Sequence, residues 1–415
     1  MKRCIPILLL SLVSCQGWFG DDSRLPSGRD DHLKGTPVTP PEETVPQKGR
    51  DTTVYVTAVS YPAGIDWVRD SGADGVQLLL FADGEEILSL PVGESHLTSP
   101  DPDMHRVCWG HLYTDYSTKS ETVVMRDGKE IFRFTGRESL KGFCAMSEDY
   151  IVTLGQNRDG DGWTLRKNGE EIASSPNGIL LQEADSHSFP SGALQTENEH
   201  IWFFYHIPQK SWRGIRPGEY FLWKDGQTYP ISLPELADKV FDLRVIDGKT
   251  VMCYSGEAFP EVRVDGSTYS PGSYENALSW CRLFPTGDGD FRIAGSSFYS
   301  EPDGSTALLW DRDRLLKQYS PGEVIGEYCF ERGRMAFVSG PTEGFADKAV
   351  VDEKTLVLPE ESRFVVRRCA LLRYGKLYLA LSGENARDSE SGLWVDGEFT
   401  PYNINGPLTG VWVVH

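Results

Sequence analysis

The chain has 415 residues, 39% of them hydrophobic and 11% aromatic, enough to bury the core of one large or two medium domains. A formal net charge of −20 argues against nucleic acid or an anionic membrane surface as a main partner. Forty-two glycines and 25 prolines point to a chain of many turns.

At the N-terminus, Lys2 and Arg3 precede an apolar stretch from Ile5 to Val13, the proportions of a signal-peptide h-region. It is far shorter than the ~20 apolar residues of a transmembrane helix. The stretch ends Leu12-Val13-Ser14-Cys15, which resembles the lipobox of bacterial lipoprotein signal peptides. The resemblance implies that residues 1–14 are removed, that Cys15 is lipidated on its thiol and that its new amine is acylated. Several acyl chains, at ~0.8 kcal/mol per buried CH₂, anchor a protein stably. Gln16 stands where an aspartate retains enterobacterial lipoproteins at the inner membrane. The resemblance therefore implies a lipid-anchored protein of the cell envelope, at the outer membrane, on its periplasmic face or the cell surface. Asp21 and Asp22 loosely resemble the acidic surface-export signals of Bacteroidota lipoproteins.

Residues 15–52 differ in composition from the rest of the chain. Pro26, Pro37, Pro40, Pro41 and Pro46 sit among charged and small residues without a periodic apolar pattern, the composition of a disordered linker. At about 5–6 Å × √n, such a segment has a mean span of roughly 30 Å, which would lift a folded domain off the membrane.

From residue 53 onward one pattern recurs: a short apolar strand, a two-residue polar turn and a second short strand. The turns are Asp83-Gly84, Asp127-Gly128, Asn168-Gly169, Asp225-Gly226, Asp265-Gly266, the Asp311–Asp313 segment, Asp352-Glu353 and Asp396-Gly397. Asn-Gly and Asp-Gly favour the type I′ turn, whose two central residues both need positive φ. The repeat returns about every 40–45 residues with only strands inside it, as in propeller blades. Two further strands precede each hairpin, as in GFCAMS then YIVTLGQ, or VFDLRVI then TVMCYSG. Four strands per repeat, A to D from the axis outward, make a blade.

The chain ends complete the pattern. VYVTAVSY occupies a B position with no inner strand before it, and the terminal GVWVVH has A-strand character with nothing after it. Pairing the two closes a ring and hides strand edges. The expected fold is an all-β propeller over residues 53–415 with about eight four-stranded blades. It has seven if the weak inner strand near Ser95–Thr98 is misassigned. A β-sandwich does not explain eight similar hairpins at one period. No WD40 or kelch consensus occurs.

Six cysteines remain beyond Cys4 and Cys15. Cys144, Cys281, Cys329 and Cys369 share one place in strand A, while Cys108 and Cys253 are expected in strand B. The repeat accounts for them as small packing residues near the axis, although an envelope location also permits disulfides.

Alternating strands put A–B and C–D turns on one face and B–C and D–A loops on the other. The C–D turns are tight and the B–C loops long and varied, so the B–C face is the expected site. It carries Tyr61, Trp67, Arg69 and Asp70 in blade one, Asp115 and Tyr116 in blade two, and His206, Lys210, Trp212 and Arg213 in blade four. Blade six adds Tyr299, and blade eight adds Arg387 and Asp388. Aromatic rings beside charged groups suit a glycan or peptide, because rings stack on apolar faces while charges fix hydroxyls or termini. In the B–C loop of blade three, Asn157, Asp159 and Asp161 followed by Gly162 resemble the start of a Ca²⁺ loop, although Asn168 stands where its last glutamate would fall. No cofactor other than Ca²⁺ is expected.

Three functions remain: a ligand-binding module, an interaction platform for an envelope protein, and a propeller enzyme of glycoside hydrolase or lyase type. GxSxG, Asp boxes, HxH and HExxH are absent, which favours the first two. The protein is expected to be a monomer.

Overall fold

A computed structural model describes residues 52–414 apart from loop and turn segments, the longest being 66–73, 98–106, 181–193, 233–238, 270–277, 298–305, 360–369 and 383–389. The linker and the lipobox lie outside the described residues. So do Trp67, Arg69, Asp70, Asp159, Asp161, Trp212, Arg213, Tyr299, Arg387 and Asp388.

Eight antiparallel sheets form an eight-bladed β-propeller, and no helix occurs among the described residues. Blade one joins both ends of the ring. Its strand A is Leu408–Val414 and its strand B is Thr53–Ser60, followed by Gln77–Ala82 and Glu85–Pro91. Thr53 lies opposite Val414 and Val56 opposite Val411, so the last strand is hydrogen-bonded beside the first.

Blades three, five, six, seven and eight each run A to D in sequence order. Blade three comprises Glu138–Ser147, Tyr150–Asn157, Trp163–Lys167 and Glu170–Ser175. Blade five starts with Lys239–Ile246, blade six with Leu278–Pro285, blade seven with Val324–Glu331 and blade eight with Ala370–Arg373.

Blades two and four have interrupted inner strands. In blade two, His96–Leu97 and Val107–Cys108 both pair with strand B, His111–Ser117. The weak strand near Ser95–Thr98 is therefore real, and the ring has eight blades, not seven. Cys108 belongs to strand A, not B. The insertion 98–106 separates the two halves and obscures their common identity. In blade four, Ile179–Leu180 and Leu194–Glu197 flank a second insertion in the same way.

The turns form as their residue types require. Asp83, Asp127, Asn168, Asp225, Asp265, Asp352 and Asp396 all have φ between 44° and 50°. Asp and Asn tolerate this region because a short polar side chain bonds back to local backbone. Two A–B turns put aromatic residues there instead, Trp109 at φ 55° and Tyr374 at φ 49°.

The core lies between blades. Side chains of strand B alternate, one set facing the preceding blade and the other the following one. Tyr55 packs with Leu112 of blade two, whereas Val56 and Ala58 pack with Leu379 and Leu393 of blade eight. Val152 and Leu154 meet Phe203 and Tyr205 of blade four around Trp163. Strand C supplies a recurrent buried tryptophan: Trp163, Trp223, Trp310 and Trp394. Burying a large apolar side chain contributes roughly 1.5–3 kcal/mol, so these rings weld each blade to its neighbours. Cys144, Cys253, Cys281 and Cys329 are buried as thiols, in keeping with a packing role, and Cys369 lies outside the described residues.

Candidate functional site

The two faces of the ring differ in construction. On the turn face, the residue opening the C–D turn of seven blades clamps the start of strand B in its own blade. The side-chain Oδ1 accepts a backbone N–H: Asp83 from Val54 at 2.7 Å, Asp127 from Leu112 at 2.9 Å, Asn168 from Ile151 at 2.8 Å and Asp225 from Ile201 at 2.9 Å. Asp265 does the same for Thr250, Asp352 for Met335 and Asp396 for Leu377. The backbone N–H of the clamping residue donates back to the same strand, as from Asp127 to the Leu112 carbonyl at 2.8 Å. Seven blades share this reciprocal pair.

The second carboxylate oxygen recruits the first residue of strand B. Asp127 Oδ2 is 2.6 Å from His111 Nδ1, Asp225 Oδ2 is 2.6 Å from His200 Nδ1, and Asp352 Oδ2 accepts from Arg334 Nε at 2.5 Å. Neighbouring blades are stitched here too. The Tyr55 hydroxyl donates to Asp127 at 3.1 Å, and burial together with that carboxylate pushes its pKa well above the ordinary phenol range. Glu331 of blade seven accepts the successive N–H groups of Tyr374 and Gly375 in blade eight, at 2.7 and 3.0 Å. Trp109 Nε1 reaches from blade two to the Ala145 carbonyl of blade three at 2.9 Å. His200, His111 and the turn aspartates are thus engaged in holding this face closed.

Buried contacts among the described residues support the loop face from beneath. In blade three, Gln156 donates to the carbonyls of Gly162 at 2.7 Å and Gly178 at 3.3 Å, and accepts the Leu180 N–H at 2.8 Å. Asn157 N–H donates to Gly162 O at 2.9 Å, closing the base of the loop 157–162. Glu138 and Arg166 form a buried ion pair above Gly155, and the guanidinium lies 4.0 Å from the centre of the Phe134 ring in blade two. A Cβ on Gly155 would fall 2.2 Å from Glu138 Oε2, so only glycine leaves room for the pair.

Where blade eight meets blade one, residues 403–407 dock onto the start of the first B–C loop. Tyr61 N–H donates to Asn405 O at 2.8 Å, and Asn405 Nδ2 donates to the carbonyls of Pro62 and Ile65 at 2.9 and 3.2 Å. Burial raises the pKa of Tyr61.

Of the residues expected in B–C loops, several belong to strands. Asp115 is 1% exposed within strand B of blade two, and Tyr116 follows it, half-buried, in the same strand. In blade four the strand continues from His200 to Ser211 and returns as Gly214–Lys224, so His206 and Lys210 are strand residues rather than loop residues. His206 is buried beside Tyr220, with ring centroids 5.6 Å apart. Among the described residues no group of three or more His, Cys, Asp or Glu side chains could hold a metal ion. Asn157 is exposed at the start of the expected calcium loop.

One residue that sequence reasoning missed is Asp347, immediately before strand C of blade seven, Lys348–Val351. Its Oδ1 is buried without a hydrogen bond among the described residues, while its backbone N–H donates to Ser339 O at 3.0 Å. The only signal in the sequence would have been its place just before an apolar strand start.

The fold defines the chain as an eight-bladed propeller with a locked turn face and a varied loop face. No protein-family profile matches it, and no curated protein does. Among solved structures it is similar to the dihydro-heme d1 dehydrogenase NirN in complex with DHE, at 11% identity and a TM-score of 0.48, over 86% of this chain and 74% of that one. It is also similar to a eukaryotic initiation factor, at 10% identity and TM-score 0.46 over 88% and 98% of the two chains. A third similarity is to the acylaminoacyl peptidase of Pyrococcus horikoshii, at 11% identity and TM-score 0.42 over 75% and 51%.

Proposed function

We propose that the protein is a lipid-anchored envelope protein whose propeller presents its loop face to a glycan, peptide or envelope-protein ligand. The observation that carries this reading is the position of Thr53. Strand B of blade one begins on the turn face, because Tyr55 pairs with Ala82 beside the Asp83-Gly84 turn while Ser60 pairs with Gln77 at the other end. A tether from Cys15 would therefore join the locked face, and the varied loops would point away from the membrane. A rigid ring with its long loops on the free face suits recognition, since scaffolded loops hold binding groups in place at little ordering cost.

Expression of the full chain in a bacterial host with a clickable palmitate tests the anchor. Label is expected on the wild type and absent from Cys15→Ala, and label on both would remove the lipoprotein reading. Glycan and peptide arrays probed with the chain from residue 16 test the binding role. A ligand is expected whose affinity falls for Trp67→Ala or Trp212→Ala; a silent array would favour an envelope-protein platform, and turnover of an array glycan would favour the hydrolase or lyase class. The loop 157–162 would take Ca²⁺ through Asn157, Asp159 and Asp161, and equal melting temperatures in Ca²⁺ and chelator would remove that site.

A further inference from the structure

The chain contains three Asn-Gly pairs, Asn168-Gly169, Asn177-Gly178 and Asn405-Gly406. Asn-Gly is the dipeptide in which a backbone nitrogen most easily reaches the preceding side chain, because glycine has no Cβ to obstruct the approach. The fold treats the three asparagines differently.

Asn168 is held at both ends of its amide: Oδ1 accepts from Ile151 N–H at 2.8 Å, and Nδ2 donates to the Asp149 carbonyl at 2.7 Å. Asn405 Nδ2 is held by two carbonyls, those of Pro62 and Ile65. Asn177 is exposed, and its side-chain amide makes no hydrogen bond among the described residues; only its backbone is engaged, with the Ser175 hydroxyl. Gly178 adopts φ 124° and is buried, and a Cβ there would lie 2.8 Å from the Tyr205 ring.

We propose that Asn177 is a site of spontaneous deamidation in the native protein, and that the fold protects Asn168 and Asn405 from the same reaction. The Gly178 backbone nitrogen attacks Asn177 Cγ and gives up its proton. The new C–N bond closes a succinimide as the Cγ–Nδ2 bond breaks, and the side-chain nitrogen leaves as ammonia. Water then opens the ring at either carbonyl, giving aspartate or isoaspartate, with no oxidant or cofactor involved. Isoaspartate reroutes the main chain through the side-chain carbonyl and adds one methylene immediately before Gly178.

The consequence reaches the loop face. The Gly178 carbonyl accepts the Gly162 N–H at 3.0 Å and Gln156 Nε2 at 3.3 Å, the contacts that fix the base of the loop 157–162. A longer backbone one residue upstream shifts that carbonyl and loosens the loop. Residue 177 thus acts as a clock that ages one part of the loop face and leaves the ring closed.

The test is peptide mass spectrometry on the full chain aged at mildly alkaline pH and warm temperature, with the same chain in denaturant as reference. Denatured, the three sites are expected to convert at comparable rates. Folded, Asn177 is expected to keep nearly the denatured rate. Asn168 and Asn405 must first break two hydrogen bonds, which at typical net strengths makes them roughly 30-fold slower. Hydrogen exchange at the Gly162 amide is expected to speed up as the wild type ages and to stay constant in Asn177→Gln. Asn177 protected like the other two, or Asn168 and Asn405 converting alongside it, would overturn the assignment. Unchanged exchange at Gly162 in a fully converted sample would overturn its link to the loop face.

Discussion

Replacing Gly406 with alanine attacks the ring where it closes. A Cβ at this position would lie 2.0 Å from the Val59 carbonyl oxygen and 3.2 Å from the Tyr61 ring, and neither neighbour can withdraw easily, since the nearer atom is backbone. Relief requires residues 405–407 to move away from blade one by more than an ångström. Four hydrogen bonds span that seam: Val59 N–H to Pro407 O at 3.0 Å, Tyr61 N–H to Asn405 O at 2.8 Å, and Asn405 Nδ2 to the carbonyls of Pro62 and Ile65 at 2.9 and 3.2 Å. At about 1 kcal/mol net for each, Gly406→Ala should destabilise by about 4 kcal/mol, a large part of the 5–15 kcal/mol typical of a folded domain. Gly84→Ala is the reference: its φ is +85° but no atom lies within 4 Å, so only backbone strain of about 1–2 kcal/mol is expected. Urea midpoints at constant slope measure both, and hydrogen exchange should show loss of protection at Val59 and Tyr61 in the Gly406 variant alone. Equal midpoints for the two variants, with Val59 and Tyr61 still protected, would refute the reasoning.

The turn clamps are graded in the same way. Asp127 receives Leu112 N–H, the Tyr55 hydroxyl and His111, whereas Asp265 receives the Thr250 N–H, so Asp127→Ala should cost about 3 kcal/mol and Asp265→Ala about 1 kcal/mol by urea titration. Glu138→Ala strands Arg166 in a buried site and should cost about 3–5 kcal/mol, while Glu138→Met with Arg166→Met should recover most of that loss. Stability should also fall at alkaline pH. Burial, reinforced by Asp83, pushes the Tyr402 hydroxyl up to about 12, above its ordinary value of 10. The unfolded chain then loses this proton first, so the contribution is complete below pH 10 and is lost as pH rises towards 12. Tyr402→Phe should flatten that part of the stability–pH curve, and an unchanged slope would contradict the assignment.

The ring is legible in the sequence because its repeat is written in backbone chemistry. An Asp or Asn with positive φ opens seven of the eight C–D turns at a regular interval, six of them followed by glycine. The closing strand is legible for a related reason, since VYVTAVSY lacks an inner partner and GVWVVH lacks an outer one. The inner strand of blade two is not, because an insertion cuts it into two pairs of residues, and Cys108 then reads as part of the next strand. Strand ends are obscured where polarity does not mean exposure. Asp115 has an ionisable side chain yet is buried, and the blade-four hairpin continues through Lys210 although its sequence looks like a loop. The candidate site is the least legible feature. Its face gathers loops from eight blades far apart in the chain, and a single sequence does not say which of them meet. Asp347, with a buried oxygen that makes no hydrogen bond among the described residues, gives no local sign of its position.

Paired cysteines at Thr53 and Val414 probe the seam itself, since these residues face each other across the first and last strands. Opposed antiparallel residues have Cα atoms about 4.5–5.5 Å apart, within disulfide range. Mild oxidation of Thr53→Cys/Val414→Cys should give one intramolecular bridge joining the two ends of the domain, as efficiently as the Ile246→Cys/Lys249→Cys hairpin control. A control that closes while the terminal pair stays reduced, or links only between molecules, would contradict a ring sealed by its own two ends.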